Sequence, residues 1–437
     1  MPLFDLPTRT NSKANDMKLA KQSNSTRKAV PTVRGGNSLL DRITQAQKLV
    51  ELHLGKFKDS YLVITEENDL IEYIDGAIKN GVISIDTETT GLDPLQDEIA
   101  GICIYTPNRQ GAYIPINHVS YITNMPIPNQ LSVDVIKQHF DRLIQSKIEI
   151  VMFNAKFDMR FMRSRVGLKD IYCTWDCYLA ARLLNENEPN NALKKLHQKY
   201  VLNGKEDEFT FEELFKGIPF TMVPLQTAVL YAAHDPVITY EYYEYQKKYL
   251  RSDSDREDMR NLYWVFKNIE MPCISVVADM EDNGILLDLT YNQVLSERYN
   301  NILKDKLNAF YERLSEFNDK IESYRLKHTD CKLDNPINIA SPTQLAILFY
   351  DILGYEVVDK KAPRGTGGDI LLKWDTPLSK ALIDYREIEK LISTYIDKLP
   401  SCVNPNDGRI HCNFRQYGAV TGRMSSQDPK VNWALVA

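Results

Sequence analysis

Three short stretches place oxygen-bearing side chains at spacings that could bring them together. In "ISIDTETTGLDP", residues 83–94, an apolar run ends in Asp86 and Glu88. Side chains two apart on a strand share a face, so both carboxylates can converge on one point. Like charges there repel unless a cation lies between them, and hard divalent ions such as Mg²⁺ and Mn²⁺ take oxygen ligands of this kind. Alone, the pair is as readily a solvated strand end. In "VMFNAKFDMRFM" another apolar run ends, and Asp158 lies four residues after Asn154, one turn into the helix expected to follow. "LYAAHDPVITYEYY" sets Tyr231 and Asp235 at i and i+4, on one face of one expected helix. Four carboxylates and a phenol would thus arrive from a strand, a helix start and a second helix.

The elements needed to position them are legible as a pattern. From Ser60 to about Tyr249 short apolar strands alternate with helical segments, as in α/β domains. "GVISID", "EIAGICIYTP", "GAYIPIN" and "IEIVMFN" read as neighbouring strands, and helical patterns follow the later ones. "RSDSDRED", residues 251–258, is a charged break and the expected boundary. Beyond it the chain reads as mostly helix. Apolar residues at Leu303, Leu307, Phe310, Leu314, Phe317, Ile321 and Tyr324 alternate steps of four and three, a seam suited to packing against an antiparallel partner helix.

Composition bounds the function classes. At 437 residues the chain exceeds one core, and 43% hydrophobic with 26% charged residues reads as globular. A net charge of −6 leaves nucleic-acid binding to local patches. The seven cysteines include no CxxC pair and are expected to be reduced thiols in the core. No apolar run is long enough to span a bilayer, so no membrane partner and a cytoplasmic location are expected. Residues 8–36 are polar and basic and are expected to form a flexible arm, followed by an amphipathic lead-in helix in "SLLDRITQAQKLVELHLG".

Taken together, Asp86-x-Glu88, Asn154-x3-Asp158 and Tyr231-x3-Asp235 resemble the three motifs of the DEDD superfamily of 3′→5′ exonucleases, in the subclass whose third motif carries tyrosine. Leu230, five before Asp235, stands where the other subclass has histidine. The resemblance implies a ribonuclease H-like mixed sheet flanked by helices, with two ions, Mg²⁺ or Mn²⁺, about 4 Å apart to clamp the attacking water and the leaving oxygen. It implies that Asp86 bridges the ions, that Glu88 and Asp235 complete one site, and that Asp158 supports the other. Tyr231 would orient the water. Leu92 and Phe157 would pack against the terminal base, or equally belong to the core, and Asn154 would steer the 3′ end. His234 is read as an ordinary helix residue.

Downstream, "FKNIEMPCISVVADMEDNGILLD", "NPINIASPTQLAILFYDILGY" and "GRIHCNFRQYGAVTGRMSSQDPK" resemble the thumb and palm-entrance segments of family A, polymerase I-like DNA polymerases. Ser341 and Pro342 are a helix-start signal. Arg423 of "TGRMSS" would reach the minor groove at the primer end. Lys390, Lys398 and Arg409 are phosphate contacts or plain surface charges. The polymerase-site motifs that follow in the family are missing, so the resemblance implies a truncated or split, phage-type polymerase. The expected division is a basic arm and lead-in helix (1–58), an exonuclease domain (59–250), a mostly helical thumb region (251–412) and an incomplete palm (413–437). The expected partner is DNA, as a single-stranded 3′ end or primer–template duplex, with a second polypeptide supplying palm and fingers left open. The alternatives are an RNase D-like exonuclease and a non-catalytic DNA-binding half.

Overall fold

The computed structural model describes residues 38–204, 209–419 and 421–427. The basic arm and the stretch after Gln427 lie outside the described residues. The lead-in helix α1 (Leu39–Leu54) begins at Ser38, whose hydroxyl accepts from the Asp41 N–H while the Asp41 carboxylate accepts from the Ser38 N–H. This reciprocal cap satisfies two otherwise orphaned donors.

The chain then runs through β1 (Tyr61–Val63), α2 (Glu67–Asn80), β2 (Val82–Thr89), β3 (Ile99–Tyr105) and β4 (Gly111–Pro115). It continues through α3 (Val133–Gln145), β5 (Glu149–Met152), α4 (Ala155–Phe161), β6 (Trp175–Asp176), α5 (Cys177–Leu184) and α6 (Leu193–Tyr200). Then α7 (Phe211–Phe215), α8 (Leu225–Ala232) and α9 (His234–Lys247) follow. The strands form one mixed sheet in the order β1-β4-β3-β2-β5-β6. β2 is antiparallel to β3 and parallel to β5. This is the expected mixed sheet flanked by helices.

Strand alternation sorts the side chains. Ile83 and Ile85 of β2, with Ile102, Ile104 and Ile114, join a core that includes Leu70, Ile74 and Phe140 from α2 and α3. Cys103 and Tyr113 point to the other face, into a core with Ile43 and Val50 of α1 and residues 228–233. Asp86 is paired directly with Cys103 across the β2–β3 ladder, so it shares that second face. Glu88 is paired with Gly101, where an added Cβ would run into the Tyr113 ring. A β-bulge between Glu88 and Thr89 ends the regular register just past the carboxylates.

One expectation is corrected here. Tyr231 and Asp235 do not share a single helix: α8 ends at Ala232 and α9 begins at His234, meeting at Ala233. Pro236 explains the break, since it has no N–H and its ring would clash with the carbonyl four residues back, at Ala232.

The second half is helical, with small two-stranded pairings. α10 (Glu257–Val265) passes through a π-turn, Phe266–Glu270, into α11 (Met271–Asn283). Next come β7 (Ile285–Leu286), α12 (Leu289–Ser315), α13 (Asn318–Lys327), α14 (Pro342–Ala346), α15 (Gly368–Trp374), α16 (Pro377–Leu391) and α17 (Lys398–Ser401). The last elements are β8 (Arg409–Ile410), β9 (Asn413–Arg415) and β10 (Ser425–Gln427). Ser341 caps α14 with Pro342 at its first position, as the sequence indicates.

α12 packs on α16 in antiparallel sense: Asn292 reaches the Ile396 carbonyl just beyond α16, whereas Lys306 pairs with Asp384 inside it. The apolar seam from Leu303 to Tyr324 is split between α12 and α13. Ser315 bonds back to the Glu312 carbonyl, and the helix ends before Phe317. Phe310, Leu314 and Ile321 still enter one core with Phe349, Leu371 and Leu382. The 4/3 spacing is therefore satisfied by two helices around a common core.

Phe140 of α3 is fully buried against the central strands. Phe140→Ala is expected to cost about 3–5 kcal/mol of stability, read as a lower urea midpoint for the sheet-containing part.

Candidate active site

β2 carries Asp86 and Glu88 to the end of the sheet at its centre. On one side β3 continues beside them, and a ligand atom from each of Asp86, Glu88 and Cys103 lies within 4.8 Å of the others. On the other side β5 pairs only with Val82–Ser84, leaving the outer part of that β2 edge without a strand partner. Helix α4 occupies this space. Asp158, on the inner face of α4, accepts from the Thr87 backbone N–H at 3.0 Å and from the Thr87 hydroxyl at 2.7 Å, both on Oδ1. The middle residue of Asp-Thr-Glu thus holds the third carboxylate, which is 2% exposed.

The start of α4 is fixed by a residue the sequence analysis missed. Asp176 is buried, and its carboxylate accepts from the backbone N–H groups of Asn154 at 3.0 Å and Ala155 at 2.9 Å. It also caps α5 through Tyr178 and Leu179. An aspartate immediately before a helical pattern is a cap signal, but its reach back to α4 is a tertiary relation. Asn154 itself adopts a left-handed conformation, φ 62°, and is exposed at the lip of the site.

Tyr231, at the end of α8, is 7% exposed and sits among Phe211, Phe215 and Phe220, with ring centroids 5.4–6.2 Å away. Asp235 enters from the first turn of α9. Between them lies Lys194 of α6, also missed at the sequence level. Its ammonium is 2.9 Å from Asp235 Oδ1, close enough for an ion pair though off hydrogen-bond alignment, and 3.7 Å from the Tyr231 ring centroid. A cation over an aromatic face is attracted by the ring quadrupole. In "NNALKKLHQ" nothing local separates Lys194 from the surface lysine expected by composition.

Burial, compounded by charge crowding, sets the protonation behaviour. Burial, then Asp158, Asp235 and Glu88, push the Asp86 carboxyl well above the usual range. Glu88 is raised to about 8 by burial and Asp235, with Lys194 opposing. Asp158 is raised to about 7, mainly by burial, with the Thr87 hydrogen bonds holding it down. For Lys194, burial favours the neutral amine, but Asp235 and Tyr231 outweigh it and the net shift is upward. Burial also raises Tyr231, so its phenol keeps its proton near neutrality. Cys103 is likewise raised, by burial and then Glu88, and is a thiol.

The other expected residues fall around this centre. Leu92 is 84% exposed, which excludes a core role. Phe157 is half-buried, its ring 4.9 Å from Phe161. His234 is buried with Nδ1 2.6 Å from the Tyr61 hydroxyl, as befits a structural residue. Arg423 lies on the exposed segment between β9 and β10. Among the described residues no helix is long and apolar enough to cross a membrane.

Comparison with known proteins places this geometry in a family. Residues 61–251 match the sequence model described as 3′-5′ exonuclease, and residues 305–433 match DNA polymerase family A. Residues 305–433 are thus a DNA polymerase family A segment, and residues 61–251 a 3′-5′ exonuclease domain. The carboxylate site lies within the matched exonuclease segment. The chain is 30% identical over 363 residues to DNA polymerase I of Pseudomonas aeruginosa, covering 80% of this chain and 36% of that protein. It is 32% identical over 358 residues to DNA polymerase I of Synechocystis sp., covering 80% and 33%. With the DNA polymerase of Bacillus phage SP01 it shares 26% identity over 370 residues, covering 76% and 39%. The chain thus spans about a third of the length of the curated relatives it matches. A solved structure titled as the POL domain of Pol1 from M. smegmatis in complex with DNA primer-template and dNTP aligns with TM-score 0.61 at 19% identity, over 85% of this chain and 55% of that one. That likeness bears on the fold.

The raised carboxyls have a thermodynamic signature. Between an unfolded value near 4 and the folded values of about 7 and 8, the folded state binds more protons, so raising the pH destabilises it. With chelator present, Tm is expected to fall as pH rises from about 5 to 8. The stabilisation by Mn²⁺ should be larger at pH 8 than at pH 6, as thermal scans with and without the ion would show.

Proposed function

We propose that this chain hydrolyses DNA from the 3′ end, releasing mononucleotides, and so serves as the proofreading exonuclease of a family A polymerase. The observation that carries the reading is the convergence of Asp86, Glu88, Asp158 and Asp235, with Tyr231 alongside, at the end of the central strand. The donor set fits hard divalent ions: all four are carboxylates, three have pKa values raised first by burial, and for Asp86 and Glu88 the neighbouring site carboxylates add to it. We assign Asp86, Glu88, Asp158 and Asp235 to hold two ions, Mg²⁺ or Mn²⁺, which when bound supply an acidic water and neutralise charge at the phosphodiester.

The remaining residues act on substrate and water. The protonated Tyr231 phenol, fixed in its aromatic surround, orients the attacking water by hydrogen bonding. Lys194 neutralises part of the charge beside Asp235 and holds the Tyr231 ring in place. Leu92 offers an exposed apolar side chain to the terminal base, with Phe157 as a second apolar wall. Asn154, at the exposed start of α4, hydrogen-bonds the terminal sugar. Arg423 contacts duplex DNA next to the primer end. The match of residues 305–433 to a DNA polymerase family favours DNA over RNA as substrate.

The test is degradation of a 5′-labelled single-stranded DNA oligonucleotide by purified chain. Shortening is expected with Mg²⁺ or Mn²⁺ and none with chelator. Asp86→Ala should lower the rate by a factor on the order of 10³ or more, since it removes a carboxylate that would hold the ions; an undiminished rate would refute the reading. Tyr231→Phe should slow hydrolysis roughly 10²-fold while leaving calorimetric Mn²⁺ binding unchanged. Lost ion binding in that variant would overturn the assignment of Tyr231 to water.

A further inference from the structure

Helix α4 has a second face. Lys156 and Arg160 of α4 and Arg163 of the π-turn that continues it fall at i, i+4 and i+7, away from Asp158, and all three pair with α11 of the helical half. The centre of this contact is Glu281, whose side chain is 1% exposed. Its Oε1 accepts from Lys156 Nζ at 2.5 Å and from the backbone N–H of Phe414 in β9 at 2.5 Å. Its Oε2 accepts from Arg160 Nη1 at 2.8 Å. Lys156 spends its other two protons on Asn413 Oδ1 at 2.9 Å and the Phe414 carbonyl at 2.5 Å. Arg160 Nε reaches Asp282 at 2.6 Å, and Arg163 reaches Asp279 at 3.0 Å.

Both Glu281 carboxylate oxygens are satisfied, all three Lys156 ammonium protons have acceptors, and the knot joins segments 125 and 133 residues apart in sequence from Glu281. A buried carboxylate so completely paired holds its partners in one geometry, because removing it strands two cations away from water. The helix it holds is short. α4 has seven residues before a π-turn, Met162–Val166, takes over, so it contributes few internal hydrogen bonds to its own placement. It is fixed at its start by Asp176, on its inner face by Thr87 and on its outer face by Glu281.

We propose that Glu281 is a positioning residue for the exonuclease reaction: from the helical half it sets the position of α4, and through it the metal-ligand carboxylate of Asp158 and the apolar wall of Phe157. This rests on the reading given under the proposed function. The contact makes hydrolysis depend on the docking of α11 and β9 against the sheet. Glu281 touches neither substrate nor ion, so its removal acts through the ion site and not through capture of DNA by the rest of the surface.

The test uses the full chain with Glu281→Gln, Arg160→Gln and Asp86→Ala. Binding of Mn²⁺ alone is counted by electron paramagnetic resonance without DNA. Values of kcat and KM are measured on a single-stranded oligonucleotide, below the melting temperature of each variant. For Glu281→Gln, Mn²⁺ affinity is expected to weaken on the order of tenfold, and kcat to fall by tenfold to roughly a hundredfold, with KM changed little. Arg160→Gln should move both in the same direction by less, and it supplies the answer if Glu281→Gln does not fold. A folded variant of either kind with wild-type Mn²⁺ affinity and kcat overturns the proposal. Because Asp86→Ala is assayed beside them, an active Asp86→Ala would fault the exonuclease reading itself, whereas an inactive one with unaffected Glu281→Gln faults only the role of Glu281.

Discussion

Mutual repulsion among carboxylates is the constraint around which this structure is organised. Besides burial, Asp158, Asp235 and Glu88 raise the proton affinity of Asp86, and Asp235 and Asp158 that of Glu88, so the fold must hold these groups together against their own charge. It does so with rigid elements. Asp86 and Glu88 are on a central strand covered on both faces, Asp158 is tied to Thr87, and Asp235 is paired with Lys194. Such crowding is poorly tolerated in a structural site and useful in a catalytic one, where bound cations relieve it.

The parts of the site that were legible in the sequence are those whose relation is local. Asp86 and Glu88 are two apart on a strand, Asn154 and Asp158 bracket a helix start, and Tyr231 and Asp235 are four apart. The residues that went unread act across long separations. Thr87 meets Asp158 over 71 positions, Asp176 meets Ala155 over 21, and Lys194 reaches Asp235 only because α6 and α9 pack together. Cys103 lies beside Asp86 because of the β2–β3 register, which no spacing reveals.

The same distinction explains the two places where pattern and structure part. The i, i+4 relation of Tyr231 and Asp235 was read as one helix, but Pro236 cannot continue the hydrogen-bond ladder and the chain bends at Ala233. The apolar seam from Leu303 to Tyr324 has the spacing of one continuous helix as well, yet the chain breaks at Phe317 while keeping its core. In both cases apolar or polar periodicity indicated which side chains meet, and backbone chemistry decided how many elements deliver them.

The shortness of β5 has a further consequence. By stopping its ladder at Ser84, the sheet leaves unpaired backbone along the outer part of β2, and an exposed strand edge is a template for pairing with another chain. Here the Thr87 N–H is taken by the Asp158 carboxylate. A side chain thereby does what an additional strand would do, closing the edge against intruding peptide. Edge protection and assembly of the carboxylate cluster are the same contact, so any extended segment that paired along β2 beyond Ser84 would evict Asp158 from the cluster.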